Sequence, residues 1–363
     1  MTGFFREAYN SDILHSSVIT LPSLFSITMN LFVSMASPIS PSEAIEDDFE
    51  DNFEDDFAVS EYGGTQVSAF SSVTSSVYAH CYERGRRYHV YKHGRYPIPN
   101  DDTEQGREEM KHVMLKELLD GKLFISDLEN PQKIMDLGTG TGTWAIEVGD
   151  MFPQAVLLGT DLSPIQPTWL PPNVNFTVED MEDEWVHSSD FDFIFLRHMI
   201  SVLKDPAKLI QTVFTHLQPG GFIEAQEIRP SVRSDDGTLP THHPLAKFYD
   251  ILDGALKNYG FDIKFADNLD TVLRDVGYVN VQLTVYKLPL GYWPRSPTLK
   301  LVGYYMRTII LDFVAAMVSR PFAEAEVPHE ECKRLMEEVP QALDDPNIHA
   351  YVPLYIFRAQ KPY

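Results

Sequence analysis

Lys133–Gly149 reads KIMDLGTGTGTWAIEVG. Asp136 stands near the end of the apolar run Ile134–Leu137, which has the length of a short buried strand. Gly138, Gly140 and Gly142 alternate with threonines, and from Thr143 the pattern turns helical through Trp144, Ala145, Ile146 and Val148. Strand, glycine-rich turn and helix start form the layout of a nucleotide site at the carboxyl edge of a parallel sheet. A second acid, Asp161, closes the next apolar run, Val156–Leu158 followed by Gly159-Thr160. It falls about 20 residues past the glycines, where an acid can accept both ribose hydroxyls.

The glycine spacing narrows the ligand. Dinucleotide sites use G-x-G-x-x-G to bring a helix N-terminus onto a pyrophosphate. This chain has G-x-G-x-G with an acid just before it. A carboxylate is badly placed beside a pyrophosphate and suits a ligand that is cationic near its reactive centre. S-adenosylmethionine, with an ammonium, a sulfonium and no phosphate, is such a ligand. Methyl transfer is an in-line displacement at a carbon already activated by the sulfonium. The protein mainly has to hold two reactants in line, a contribution of about 7–11 kcal/mol. A base is needed only when the acceptor arrives protonated. His198 is the candidate, just past the fourth apolar strand, because its side chain titrates near neutrality. Arg197 beside it can orient an acidic group.

These residues need a sheet to place them. Strands are expected at Ile134–Leu137, Ala155–Thr160, Asn175–Val178, Phe191–Leu196, Phe222–Ala225, Val279–Tyr286 and Tyr351–Phe357. A helix runs from Thr143 to Phe152 and stops at Pro153. The next crossover, SPIQPTWLPP, carries prolines at 164, 167, 171 and 172, so it is a stiff loop holding Trp169 rather than a helix. Glu179-Asp180-Met181 follows the third strand; Asp180 can bond the adenine amino group and Met181 can lie against the ring. Asp205-Pro206 caps a helix ending near Leu217, and Pro219-Gly220-Gly221 turns into the fifth strand, with Gln226 and Glu227 at its end. His242–Leu256 and Leu299–Val318 read as helical excursions. Lys300, Arg307 and Asp312 argue against a membrane span in the second.

Upstream, Asp102 with Gln105 reads as a capping box for a helix to about Leu119, stopped by Gly121. Its apolar side is Met110, Val113, Met114 and Leu118. Arg107, on the polar face, faces either the cofactor carboxylate or solvent. The preceding RGRRYHVYKHGRYPIPN interleaves a basic cluster with Tyr88, Tyr91 and Tyr96, which favours packing on the domain over a nuclear address.

The chain has 363 residues, 44% hydrophobic content and a net charge of −24, which disfavours nucleic acid as a partner. No Lys or Arg lies between Arg6 and Arg84, while acids crowd Glu43–Glu61. Residues 1–80 are therefore expected to be an acidic, mostly disordered tail. Within it Ile45, Phe49, Phe53 and Phe57 recur every four residues, a stripe that could dock on a protein partner. Ile19–Val33 is apolar but broken and short for a membrane span, so a leader or a start at Met35 is expected and a membrane is not. Cys81 and Cys332 are the only cysteines, which fits a reducing compartment, and neither a histidine pair nor a Cys-x-x-Cys spacing suggests a metal.

The stretches YHVYKHGRYPIPNDDTEQGR, DLGTGTGTWAIEV, GTDLSPIQPTWLPPNV, EDEW, LRH, LQPGGFIEAQE and IHAY resemble the LaeA-like fungal class I methyltransferases, from about Tyr82 to the C-terminus. The family contains secondary-metabolism regulators and cluster-encoded tailoring enzymes. The resemblance implies a doubly wound, Rossmann-like α/β fold whose seven-stranded sheet is parallel except for the last strand. A cap over residues 81–130 and helical insertions near 238–260 and 298–345 complete the 131–363 domain. The implied cofactor is S-adenosyl-L-methionine. Asp136, Gly138, Thr139, Gly140 and Gly142 would form the methionine-side loop. Asp161 with Leu162 would take the ribose, Asp180 with Met181 the adenine, and Arg197 and Arg107 would complete the site. The regulators usually have Cys where Thr139 stands, which favours a cytoplasmic enzyme acting on a small-molecule intermediate over a nuclear regulator working in a complex.

Overall fold

The computed structural model describes residues 79–363. The Phe-bearing acidic tail, the Ile19–Val33 run and the Met35 start lie outside the described residues.

The described chain opens with a hairpin, β1 (His80–Glu83) and β2 (Arg86–His89), which the sequence pattern did not signal. Helix α1 (Asp102–Leu118) follows, and its N-cap is Asp101 rather than the expected Asp102. Asp101 accepts the Glu104 amide at 3.1 Å and holds the Arg86 guanidinium with both oxygens. The arginine fixes Asp101 in the capping position and leaves Asp102 as the first helical residue. Gln105 bonds the Asn100 carbonyl at 2.9 Å, so there is no capping box on it. Asp101→Ala is expected to lower the unfolding free energy by about 1–2 kcal/mol, read from urea midpoints. An unchanged midpoint would show that neither the cap nor the Arg86 pair contributes. The apolar side also differs from expectation: Leu115 is buried, while Val113 is 44% exposed.

The main sheet consists of β3 (Lys133–Leu137), β4 (Val156–Asp161), β5 (Val174–Val178), β6 (Phe191–Arg197), β7 (Leu217–Ile228), β8 (Val279–Pro289) and β9 (Tyr351–Gln360). Their order is β5-β4-β3-β6-β7-β9-β8. The first five run parallel, and β9 is antiparallel to both β7 and β8. Side chains alternate across the sheet, and helices cover both faces, so the central strands are apolar throughout. Ile134, Phe193 and Phe195 pack on one face with Trp144 and Val148 of α2 (Thr143–Met151). Met135, Leu137, Ile194 and Leu196 pack on the other with Leu209, Ile210 and Val213 of α3 (Pro206–His216). Trp144 stacks flat on Phe195 at 3.8 Å between centroids. Asp205 caps α3 as expected, accepting the Lys208 amide at 2.9 Å.

Three readings need correction. Pro219-Gly220-Gly221 is not a turn outside the sheet. It is an irregularity inside β7, between the Phe191–Leu217 and Phe193–Phe222 pairs. Trp169 is 91% exposed, so the proline-rich loop does not hold it. Helix α5 (Leu269–Val276), absent from the sequence reading, packs its Leu269 and Leu273 under the sheet before β8.

Two excursions build a cap. Helix α4 (Pro244–Lys257) follows β7, and α6 (Pro297–Ser319), α7 (Pro321–Glu324) and α8 (His329–Asp344) separate β8 from β9. With α1 they enclose a third core that includes Met114, Leu115, Leu252, Met306 and Leu335. By length and mean hydropathy (1.5) Pro297–Glu324 would pass for a membrane span. Its Val302, Met306, Ile309, Ile310, Val314 and Met317 are instead buried in the cap core.

Candidate active site

The carboxyl ends of β3, β4, β5, β6 and β7 meet the cap around a cavity of about 220 Å³. Gly138 follows β3 with φ +74 and Gly140 with φ +58, both in the left-handed region that favours glycine. A Cβ on Gly138 would strike the Met199 side chain at 2.4 Å. A Cβ on Gly140 would meet nothing within 4 Å, because its backbone faces the cavity.

Asp161 ends β4 and lines the cavity. Its oxygens accept the Gly140 amide at 2.9 Å and the Ser163 amide at 2.8 Å, which ties the glycine turn to the second strand. Burial raises its pKa, and those amides oppose the rise. Leu162 and Met181 also line the cavity. Asp180 is buried there and carries two cap cations, Lys92 at 3.0 Å and Arg95 at 3.3 Å. With the Glu182 amide at 3.1 Å it already uses three of about four acceptor positions. The segment that follows the hairpin is thereby pinned over this end of the cavity.

Asp136, Thr139 and Gly142 do not line the cavity. Thr139 turns its hydroxyl back onto Asp136 at 2.6 Å, and Gly142 caps α2 with φ +80 against Phe176. Asp136 is buried one layer behind the wall, and burial pushes its pKa up to about 6 against the Thr139 bond and the Arg197 charge. Arg107 reaches the cavity but is not solvent-facing: Glu104 and Glu108 both pair with it, and its guanidinium lies 4.9 Å from the Phe313 ring. As placed, it is not free for a cofactor carboxylate.

Arg197 is better placed for that. It lines the cavity and has no carboxylate partner among the described residues; its contact is His112 Nδ1 at 3.2 Å. Burial and Arg197 hold His112 down at about 4, so its neutral ring can accept that bond. His198 lines the cavity with φ +59. Its Nδ1 lies 3.5 Å from the Ile228 amide and its Nε2 is buried without a partner. Burial, then Lys111, Arg197 and Arg107, hold its pKa well below 6.5. Three neighbouring cations oppose a proton arriving there, which weakens the case for His198 as base.

One residue group escaped the spacing rules. Cys81, Glu83 and His93 bring ligand atoms within 4.8 Å of one another on the hairpin, away from the cavity wall, though His93 already bonds Glu83 at 2.6 Å.

The wall suits S-adenosylmethionine. Gly140 leaves the space a side chain would fill, Asp161 offers acceptors to ribose, and Arg197 offers a cation to an amino-acid carboxylate. When bound, that molecule supplies an electrophilic methyl group whose departure leaves a neutral thioether. Comparison with known proteins places the chain among methyltransferases. A family model described as "Methyltransferase domain" matches residues 108–283. Methyltransferase pytC of Aspergillus terreus is 38% identical over 299 residues, covering 82% of this chain and 92% of that protein. Secondary metabolism regulator LAE1 of Cochliobolus heterostrophus is 32% identical over 291 residues, covering 77% and 94%. Phosphoethanolamine N-methyltransferase 2 of Haemonchus contortus, solved with S-adenosyl-L-methionine, is 17% identical over 74% of this chain and 55% of that one, with a TM-score of 0.41. Fold and site define a class I, S-adenosylmethionine-dependent methyltransferase. Within that class the chain belongs to the LaeA-like family of fungal secondary-metabolism methyltransferases.

Proposed function

We propose that this enzyme methylates an oxygen, nitrogen or carboxylate of a largely apolar small molecule, an intermediate of a fungal secondary-metabolite pathway. One observation carries the reading. Beyond the polar rim the cavity continues into an apolar arm between α4 and α6, lined by Leu252, Leu256, Met306, Ile309, Ile310 and Phe313. Such an arm would bury a carbon skeleton at roughly 25 cal/mol per Å² and leave its polar acceptor atom at the rim. The likeness to pytC supports an enzymatic role. In this reading Gly138 and Gly140 cradle the methionine end of the cofactor and Arg197 its carboxylate. Asp161 with Leu162 takes the ribose, and Asp180 with Met181 the adenine.

The likeness to a regulator over 94% of its length favours a second reading, a nuclear enzyme with a protein acceptor. The apolar lining from α4 and α6 speaks against it, since it suits a carbon skeleton better than a polar peptide segment. Full-length enzyme, tritium-labelled S-adenosylmethionine and an organic extract of a strain lacking the gene separate the two. Label in an organic-soluble product, with a mass one methyl higher, is the expected result. Label confined to the protein fraction would overturn the first reading in favour of the second.

A further inference from the structure

Strand β7 carries two buried glutamates with different surroundings. Glu224 accepts the Ile125 and Ser126 amides, the Ser126 hydroxyl and Gln226 Nε2. Those donors fill its acceptor sites, and it does not reach the cavity, so it anchors the chain that follows α1. Glu227 lines the cavity and accepts only the Ile200 amide at 3.1 Å and the Ser201 hydroxyl at 2.6 Å. It is 2% exposed and has no ion-pair partner among the described residues. A buried carboxylate without a cation is costly, so its retention in a binding cavity points to chemistry.

Its place in the sheet says which chemistry. The proposed cofactor-side groups come from the ends of β3, β4 and β5 and, with Arg197, from β6, and β7 continues the same edge beyond them. An acceptor attacking in line must come from that side, where Glu227 and Ile228 meet the apolar arm. The other titratable groups around this end are engaged or unsuited. From α1, Lys111 pairs with Glu108 at 2.6 Å and Arg107 pairs with Glu104 and Glu108. From the end of β6 come Arg197 and His198, the latter held neutral by burial first and then by its cationic neighbours. From α4 comes the Tyr249 phenol and from the segment before α1 the Tyr96 phenol, both pushed up by burial, and α6 presents only apolar side chains to the cavity.

We infer that Glu227 is the general base of the transfer, a role that rests on the reading above for an acceptor bearing O–H or N–H. The carboxylate takes the acceptor's proton as the acceptor's lone pair bonds to the methyl carbon. The electron pair of the broken carbon–sulfur bond stays on sulfur, and the proton passes from Glu227 to water once the product leaves. Burial raises the Glu227 pKa to about 7, opposed by Ser201, Ile200 and Lys111, so the group can both take and release a proton near neutrality.

Two readouts test this, one of them without turnover. Infrared difference titration of the protein alone should show a carboxyl group ionising near pH 7 in wild type and missing in Glu227→Gln. Absence of any such group overturns the proposal. In the labelling assay, counted in both organic and protein fractions, Glu227→Gln should lower the rate roughly 10²–10⁴-fold with calorimetric affinity for S-adenosylmethionine unchanged. Ser201→Ala removes a donor to the ionised form, so the acidic limb of its rate profile should move to higher pH. A merely structural glutamate would not move that limb. Glu227→Gln retaining more than a tenth of the rate, or losing rate and cofactor affinity together, overturns the assignment. If wild type labels only protein, the small-molecule reading falls while Glu227 is still judged on that acceptor. No label in either fraction overturns both.

Discussion

Asp161→Ala should leave a folded protein that no longer binds S-adenosylmethionine measurably by calorimetry. Two losses combine. The carboxylate is the proposed acceptor for both ribose hydroxyls, and a hydrogen bond to a charged group contributes about 1.5–3 kcal/mol, so two represent roughly 10²–10⁴ in affinity. The same carboxylate also holds the Gly140 and Ser163 amides, so its removal releases the glycine turn that must face the ligand. The fold should tolerate the change better than the site does. Burial already disfavours the ionised form of Asp161, so its charge adds little to stability at neutral pH. Asp161→Asn, which keeps the shape and one acceptor, should fall between alanine and wild type. Affinity within tenfold of wild type for the alanine variant would remove Asp161 from the nucleoside site.

That prediction uses a residue the sequence exposes, and the reason it is exposed is local. The stretch from Ile134 through Trp144 signals itself by a short apolar run, left-handed glycines and a helix start, all within a dozen positions. Asp161 and Asp205-Pro206 are legible for the same reason, one ending a strand and the other capping a helix. What the sequence hides depends on partners far away in the chain. Arg107 reads as facing either solvent or the cofactor carboxylate because only its charge and its helix face are legible. Its carboxylate partners Glu104 and Glu108 lie on the same helix, but what buries the group in the cavity wall is Phe313, from far along the chain. Asp101 displaces Asp102 as the helix cap only because Arg86 arrives from the hairpin. Glu224 and Glu227 look alike in EAQE, and only the donors from residues 125–126 and 200–201 tell them apart. The apolar arm was equally invisible, since α4 and α6 lie about fifty residues apart in the chain and meet only through the cap core.

Asp136→Asn should make the free enzyme more stable at pH 7.5 and a poorer binder of S-adenosylmethionine. Asp136 is buried behind the glycine turn, with only the Thr139 hydroxyl bonded to its side chain. Its folded pKa stands at about 6 against an ordinary 3.8. A raised carboxyl favours the folded state below pH 3.8, and that benefit is lost as pH rises to about 6. The shift corresponds to a penalty of about 3 kcal/mol for the ionised group at neutral pH. The asparagine variant does not titrate, so its advantage over wild type in urea unfolding should vanish well below pH 3.8 and approach its full size above about pH 6. Binding runs the other way. A ligand cationic at its sulfonium and ammonium favours ionised Asp136, so wild-type affinity should fall by up to about tenfold per pH unit below about pH 6, while the variant's stays flat through that window. Comparing the two proteins isolates Asp136 from Glu227, which titrates about one unit higher. Wild-type affinity that does not change between pH 5 and 7.5, or a variant destabilised equally at both ends of the range, would show that this acid serves packing alone. A gain in stability joined to a loss of affinity at pH 7.5 would mean that the buried charge is retained for the ligand and weakens the free fold.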